Sequence, residues 1–161
     1  MASASSPTPG QQPPPLRVSR TFPAPRERVF KAWSTTEHVK AWFSPETFTV
    51  PDARVEMRVG GPFEVCMRSP TGDESWTRGT FIEVTPYDRL VLDMSVVTPS
   101  GHALFSARTE VDFSDTEGGT LMEVLQTYVF ADPAMAAPMV ARASEGWRTT
   151  LDKLEREVGR M

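Results

Sequence analysis

The segment DPAMAAPMVARASEGWRTTLDKLEREV, residues 132–158, decides the fold class, because it is a long helical pattern in a chain dominated by strand patterns. Its apolar residues recur every three or four positions and form a stripe along one helix face. The stripe consists of Met135, Met139, Ala143, Trp147, Leu151, Leu154 and Val158. Asp132 and Pro133 suit a helix start, but Pro138 would interrupt a helix that began there. We therefore expect a short turn first and the main helix from about residue 138.

The middle of the chain reads as strands that alternate apolar and polar residues and are separated by Gly- and Pro-containing turns. Valine and threonine outnumber leucine and isoleucine, which favours strands over a helical bundle. The connections are short, so neighbouring strands should pair as antiparallel hairpins. The predicted strands cover residues 47–57, 61–69, 74–85, 89–98, 103–114 and 119–130.

The first ordered part of the chain predicts one strand and two short helices. Residues 16–22 alternate as a strand does, with Leu16, Val18, Arg20 and Phe22 on one face. Pro25 suits the first position of a helix over 26–33. Thr36 is expected to cap a second helix that runs through Phe43.

These elements predict an α+β helix-grip fold. A curved antiparallel sheet of about seven strands needs a cover for its apolar face, and the long C-terminal helix is large enough to supply it. The two short helices after the first strand would close one end. A sheet wrapped around one helix in this way commonly leaves an interior cavity.

Composition limits the function classes. Residues 1–15 are rich in proline and hold no charge, so we expect a disordered tail followed by one domain over 16–158. The net charge of −4 argues against nucleic-acid binding. The single cysteine, Cys66, excludes an internal disulfide and any multi-cysteine metal site. No apolar run is long enough to span a membrane and no signal peptide is present, so a cytoplasmic protein is expected. The two histidines, His38 and His102, form no HxxxH or HxxE pair, so we expect neither a metal site nor a cofactor.

Six segments, in order, make the chain similar to a known family. They are RTFPAPRERVFKAW (20–33), HVKAWFSP (38–45), RVGGPFEVCM (58–67), RGTFIEVTPYDRLV (78–91), GGTLMEV (118–124) and EGWRTTLDKLEREV (145–158). The chain resembles the family of the activator of the 90-kDa heat-shock-protein ATPase, within the START/Bet v 1-like helix-grip superfamily (SRPBCC). Proteins of this fold include co-chaperones, lipid carriers and polyketide cyclases, so the resemblance implies a fold rather than one activity.

The candidate ligand-binding residues are inward aromatic and methionine side chains together with two inward polar residues. They are Arg20, Trp42, Phe63, Met67, Phe81, Phe105, Met122, Gln126, Met139 and Trp147. Aromatic rings can stack on a flat ligand, and methionines adapt to variable shapes. Ordinary core packing explains most of these residues equally well.

Four of the candidates have two interpretations each, and those for Trp42 are core packing and a position at the mouth of the cavity. Arg20 either forms an internal ion pair, with Glu83, Glu110 or Glu123 as possible partners, or contacts a polar ligand group. Gln126 is either a satisfied buried amide or a polar anchor. Trp147 either packs in the core or lines a pocket, and the preceding Gly146 would allow a close approach of backbone or ligand.

We therefore predict a binding module whose internal apolar cavity holds a hydrophobic or aromatic small molecule, without catalytic residues. A cyclase-type enzyme is the first alternative, and it would need an acid or base with a perturbed pKa in the cavity. A co-chaperone-like domain that binds a protein partner is the second. The chain could act as a monomer or a homodimer.

Overall fold

The computed structural model describes residues 13–161, so residues 1–12 of the predicted tail lie outside the described part. Residues 13–15 precede the first strand without regular structure. The elements follow in the order β1 Leu16–Phe22, α1 Arg26–Lys31, α2 Thr36–Trp42, β2 Thr49–Val55, β3 Pro62–Arg68, β4 Glu74–Thr85, β5 Arg89–Val97, β6 Ala103–Thr116, β7 Gly119–Phe130 and α3 Ala136–Arg160. The predicted strands are confirmed, each to within two residues at either end.

The strands form one antiparallel sheet in the order β1-β7-β6-β5-β4-β3-β2. Five of the neighbouring pairs are successive hairpins, and β1 closes the other edge by pairing with β7. The register shifts within β2, within β4 between Phe81 and Glu83, and at the β5–β6 pair after Val96. Such irregularities increase local twist and bend a strand. The result is the curled sheet of the helix-grip fold, with α3 along it.

Two helix-cap predictions are wrong by one residue, and the short turn predicted before the main helix is confirmed. Pro25 is the N-cap of α1 and has extended backbone angles, so it precedes the first helical residue. Thr35 caps α2 by accepting a hydrogen bond from the His38 amide at 3.2 Å, whereas the Thr36 hydroxyl accepts from Val55. The helix α3 begins at Ala136, after a short 3-10 turn. It tolerates Pro138 because a first-turn amide needs no intrahelical acceptor.

The main core lies where α1 and α2 close one end of the sheet. The rings of Trp33 and Trp42 meet edge to face at 4.8 Å between centroids, and Phe63 packs 6.2 Å from Trp33. The indole of Trp42 donates a hydrogen bond to the Ala32 carbonyl at 2.9 Å. This end of the molecule is therefore filled by aromatic side chains.

The two halves of α3 pack differently. Towards the C-terminus Leu151, Leu154 and Val158 are buried in the main core. Towards the N-terminus Met139 and Ala143 are half-buried against a smaller cluster on β6 and β7. The sheet is thus tightly covered at one end and loosely covered at the other. Within residues 13–161, no helix has the length and apolar character that crossing a membrane requires.

Candidate ligand-binding cavity

A cavity of about 270 Å³ lies under the loosely covered end, between α3 and the sheet. Strands β3 to β7, the loop after α2 and one side of α3 supply its walls. The lining residues are Phe43, Ser44, Pro45, Met67, Ser75, Thr77, Met94, Val96, Phe105, Ala107, Gln126, Tyr128, Met139, Arg142, Ala143, Gly146, Trp147 and Thr150. The volume is close to the lower end of the range for small-molecule sites, about 300–1,000 Å³.

Five of the ten candidate residues meet in this cavity. They are Met67 on β3, Phe105 on β6, Gln126 on β7, and Met139 and Trp147 on α3. Each comes from an alternating strand or from the apolar helix stripe, so the inward positions follow from the periodicity. These residues form a largely apolar wall with one amide in it.

Four other candidates lie in the filled core instead of the cavity wall. Trp42, Phe63, Phe81 and Met122 have no exposed surface and are absent from the lining. Phe63, Phe81 and Met122 share their strand faces with cavity residues, whereas Trp42 ends helix α2, and all four belong to the main core. These four side chains therefore pack as ordinary core residues.

Arg20 forms an ion pair with α3 and stands apart from the cavity lining. Its Nη1 lies 2.7 Å from the Asp152 carboxylate, and its Nη2 donates to the Arg148 carbonyl at 3.2 Å. The ion-pair partners that we considered from the sequence are therefore wrong. Glu83 and Glu110 pair with Arg89 instead. The sequence could not identify Asp152, because the rotation of α3 over β1 decides which carboxylate is near.

Gln126 is the centre of a buried hydrogen-bond network. Its Oε1 accepts from Trp147 Nε1 at 2.8 Å and also from the Tyr128 hydroxyl. Its Nε2 donates to Thr109 Oγ1 at 2.9 Å. Since an indole N–H and a phenol hydroxyl both point at Oε1, the orientation of the amide is determined. The network joins β6, β7 and α3 at the cavity wall.

Tyr128 is the titratable acid of the cavity wall. Burial raises the pKa of its phenol above the usual value of 10, because a phenolate would lose its hydration there. The phenol therefore stays protonated at neutral pH and acts as a hydrogen-bond donor rather than a base.

The loop after α2 is held on α3 by a lysine. Lys153 Nζ donates to Ser44 Oγ at 2.9 Å and to the carbonyls of Pro45 and Phe48 at 2.9 and 3.0 Å. Partial burial lowers the pKa of Lys153. All three acceptors are neutral, so this lysine positions the Ser44–Pro45 side of the cavity without an ion pair at these contacts.

Sequence reasoning missed six polar residues of the wall, which are Ser44, Ser75, Thr77, Tyr128, Arg142 and Thr150. Thr77 and Thr150 are 5% and 6% exposed, and among residues 13–161 their hydroxyls have no hydrogen-bond partner. Arg142 is exposed at the rim of the cavity and has no ion-pair partner in the same part of the chain. Helical spacing offered a signal, since Arg142, Gly146 and Thr150 are four residues apart.

Other reactive side chains lie outside the lining. Cys66 is buried on β3, and burial raises the pKa of its thiol. His38 Nδ1 lies 2.8 Å from Glu157 Oε2 between α2 and α3. Within residues 13–161, no group of three His, Cys, Asp or Glu side chains is arranged to hold a metal ion. The chemistry of the cavity therefore comes from hydroxyls, an amide, an indole and one guanidinium.

Several solved structures share this architecture. A protein from Rhizobium leguminosarum superposes with a TM-score of 0.79 at 26% identity, covering 91% of this chain and 95% of that one. A protein from Nitrosomonas europaea gives 0.76 at 25% identity, with 91% and 94% covered. An AHSA1 protein from Silicibacter pomeroyi gives 0.76 at 22% identity, with 90% and 97% covered, and this likeness shows the fold. A search of curated proteins finds no match to this chain.

The family model described as activator of Hsp90 ATPase homolog 1-like protein matches residues 23–159. This match covers both short helices, six of the seven strands and nearly all of α3. The resemblance carried by the six sequence segments is thereby confirmed, and the chain belongs to the activator of Hsp90 ATPase homolog 1-like family.

Proposed function

We propose that this protein is a small-molecule binding module whose internal cavity holds a hydrophobic or aromatic ligand. The cavity between α3 and the sheet carries the proposal. Its wall is built mainly from apolar and aromatic side chains, with a few polar groups among them. This combination is typical of small-molecule sites, in which apolar contact supplies affinity and a few polar groups set the orientation.

The composition of the wall favours binding over cyclase chemistry. The lining residues include neither a carboxylate nor an imidazole, which are the usual general acids and bases. The buried amide Gln126 is engaged by Trp147, Tyr128 and Thr109, so it is held in one orientation. The co-chaperone-like alternative and the oligomeric state remain predictions from the sequence.

A fluorescent probe can test the proposal directly. N-phenyl-1-naphthylamine is neutral and becomes bright when it enters an apolar cavity, so we expect saturable fluorescence enhancement with the full chain. Ala143→Phe should abolish the enhancement because Ala143 lines the cavity and a phenyl ring would occupy it. Ala141→Phe is the matched control, since Ala141 is exposed on the same helix and absent from the lining.

The two variants separate a cavity from a surface site. Binding by wild type and Ala141→Phe but not by Ala143→Phe would support the proposal. Equal binding by all three proteins would place the probe elsewhere. Absence of binding to a folded wild-type protein would count against a cavity open to neutral aromatic molecules, and the proposed function fails if the aromatic carboxylates described below do not bind either.

A further inference from the structure

We infer that the cavity takes a small aromatic carboxylate that carries a hydroxyl or carbonyl oxygen at its far end. Arg142 at the rim would bind the carboxylate, and Thr77 and Thr150 would bind the second oxygen. The inference rests on the proposed function and adds the chemical class of the ligand to it.

Arg142 differs from the neighbouring arginines in having no partner. Arg20 pairs with Asp152, and Arg148 with Glu145. The Arg142 side chain has no ion pair or hydrogen bond among residues 13–161, and the cavity lining holds no acidic side chain that could neutralise it. A guanidinium presents paired N–H donors that match a carboxylate. A guanidinium without a partner next to an apolar cavity therefore favours a ligand that has an apolar body and an anionic group.

The two threonines are a second, independent observation. Both are more than nine-tenths buried, both line the cavity, and neither hydroxyl has a hydrogen-bond partner among residues 13–161. Neither hydroxyl is fully enclosed, because Trp33 Nε1 is the one enclosed side-chain polar atom without a hydrogen-bond partner in residues 13–161. The two hydroxyl oxygens therefore keep accessible surface, and both residues line the cavity. The hydroxyls of Thr109 and Tyr128, by contrast, are both bonded to Gln126. The hydroxyls of Thr77 and Thr150 are thus left available for an oxygen inside the cavity.

The spacing of these groups limits the ligand. Arg142 and Thr150 lie eight residues apart on α3, which places their Cα atoms about 12 Å apart along the axis. The arginine side chain can bend inward and shorten this span. Aromatic rings fit between the two ends, where Trp147, Phe105 and Met139 form the wall. A two-ring compound substituted at both ends suits the cavity volume of about 270 Å³.

Calorimetric titration with three related probes tests the inference. The probes are 6-hydroxy-2-naphthoate, 2-naphthoate without the hydroxyl, and 6-hydroxy-2-acetylnaphthalene, in which a neutral ketone replaces the carboxylate. We expect the first probe to bind wild type most tightly. Arg142→Met should weaken it by about tenfold, as for a lost charge-assisted hydrogen bond, and leave the ketone unaffected. Arg28→Met is the matched control, because Arg28 is an exposed α1 arginine outside the lining.

Thr150→Val tests the inner end with a nearly isosteric change. We expect it to remove the advantage of 6-hydroxy-2-naphthoate over 2-naphthoate, an advantage of severalfold. The same substitution should leave the free energy of unfolding of the unliganded protein nearly unchanged, since the hydroxyl that it removes has no hydrogen-bond partner among residues 13–161. Loss of a hydroxyl that stabilises the fold would lower that free energy.

The outcomes distinguish the two levels of the proposal. If the ketone binds as tightly as the carboxylate, or Arg142→Met and Arg28→Met behave alike, the inference on ligand class is overturned while the binding module stands. If Thr150→Val destabilises the free protein and leaves the affinities unchanged, the inner subsite is overturned. If none of the probes nor N-phenyl-1-naphthylamine binds folded wild type, the proposed function fails as well.

Discussion

Trp147 on α3 donates its indole N–H to the side-chain oxygen of Gln126 on β7 at 2.8 Å. This bond connects the covering helix to the sheet at the wall of the cavity. Gln126 Oε1 also accepts from Tyr128, and Nε2 donates to Thr109. A buried amide with all three partners in place rigidifies its surroundings. Loss of the amide leaves the Trp147 N–H and the Tyr128 hydroxyl without a partner, whereas the Thr109 hydroxyl keeps its contact with Met94 Sδ.

Gln126→Leu should lower the free energy of unfolding by about 2–4 kcal/mol, although leucine is apolar and of similar size. The substitution leaves the Trp147 N–H and the Tyr128 hydroxyl without an acceptor, and an unsatisfied buried polar group costs about 1–3 kcal/mol. Trp147→Phe should cost less than Gln126→Leu because it removes one donor and keeps the amide. Urea denaturation of the two variants checks the order, and a smaller loss for Gln126→Leu would contradict the network.

Tyr128 should make the protein less stable at alkaline pH. Burial raises its folded-state pKa above the unfolded value of 10. Its contribution is therefore complete below about pH 10 and is lost as the pH rises beyond that value, because the unfolded phenol ionises first. Tyr128→Phe should flatten the decline of stability between about pH 9.5 and 11. Tyr87→Phe, at an exposed position, is the control and should keep the wild-type slope.

Gly146→Ala should stabilise the protein and weaken binding. An alanine Cβ would lie 3.6 Å from Pro45 Cγ, which is an ordinary contact, so the close approach considered from the sequence does not require glycine. Alanine in a helix interior is favoured over glycine by about 0.5–1 kcal/mol. The added methyl group would enter the cavity lining.

Thermal unfolding and titration with N-phenyl-1-naphthylamine measure both effects of Gly146→Ala. Gly159→Ala serves as the control, because Gly159 is near the end of α3 with open space around it and outside the cavity. It should leave the affinity for the probe unchanged. Unaltered probe affinity in Gly146→Ala would show that Gly146 is not part of the binding site.

Arg20→Met should have a small effect on stability and none on binding. The Arg20–Asp152 pair is partly exposed, with side-chain exposures of 21% and 39%. Pairs of this kind contribute less than about 1 kcal/mol, and salt screens them. Urea denaturation at low and high salt should show a loss that shrinks as salt is added. Weaker binding of 6-hydroxy-2-naphthoate by this variant would show that Arg20 contributes to ligand binding.

The sequence by itself determined the elements and their order. Period-two alternation placed β3 to β7, and the stripe from Met139 to Val158 placed α3, because side-chain direction follows directly from backbone periodicity. The inward position of Gln126 followed from the same alternation. The errors at Pro25 and Thr36 concern helix caps, where one residue decides between extended and helical backbone.

Only the tertiary structure shows which inward residues line the cavity and which are packed in the core. Phe81 and Phe105 are both inward aromatics on alternating strands, yet Phe81 is in the filled core and Phe105 lines the cavity. Sequence periodicity tells which face of an element a residue occupies, but not how closely another element approaches that face. The seating of α3 over the sheet sets that distance. It also pairs Arg20 with Asp152 and leaves Arg142 without a partner in the described residues.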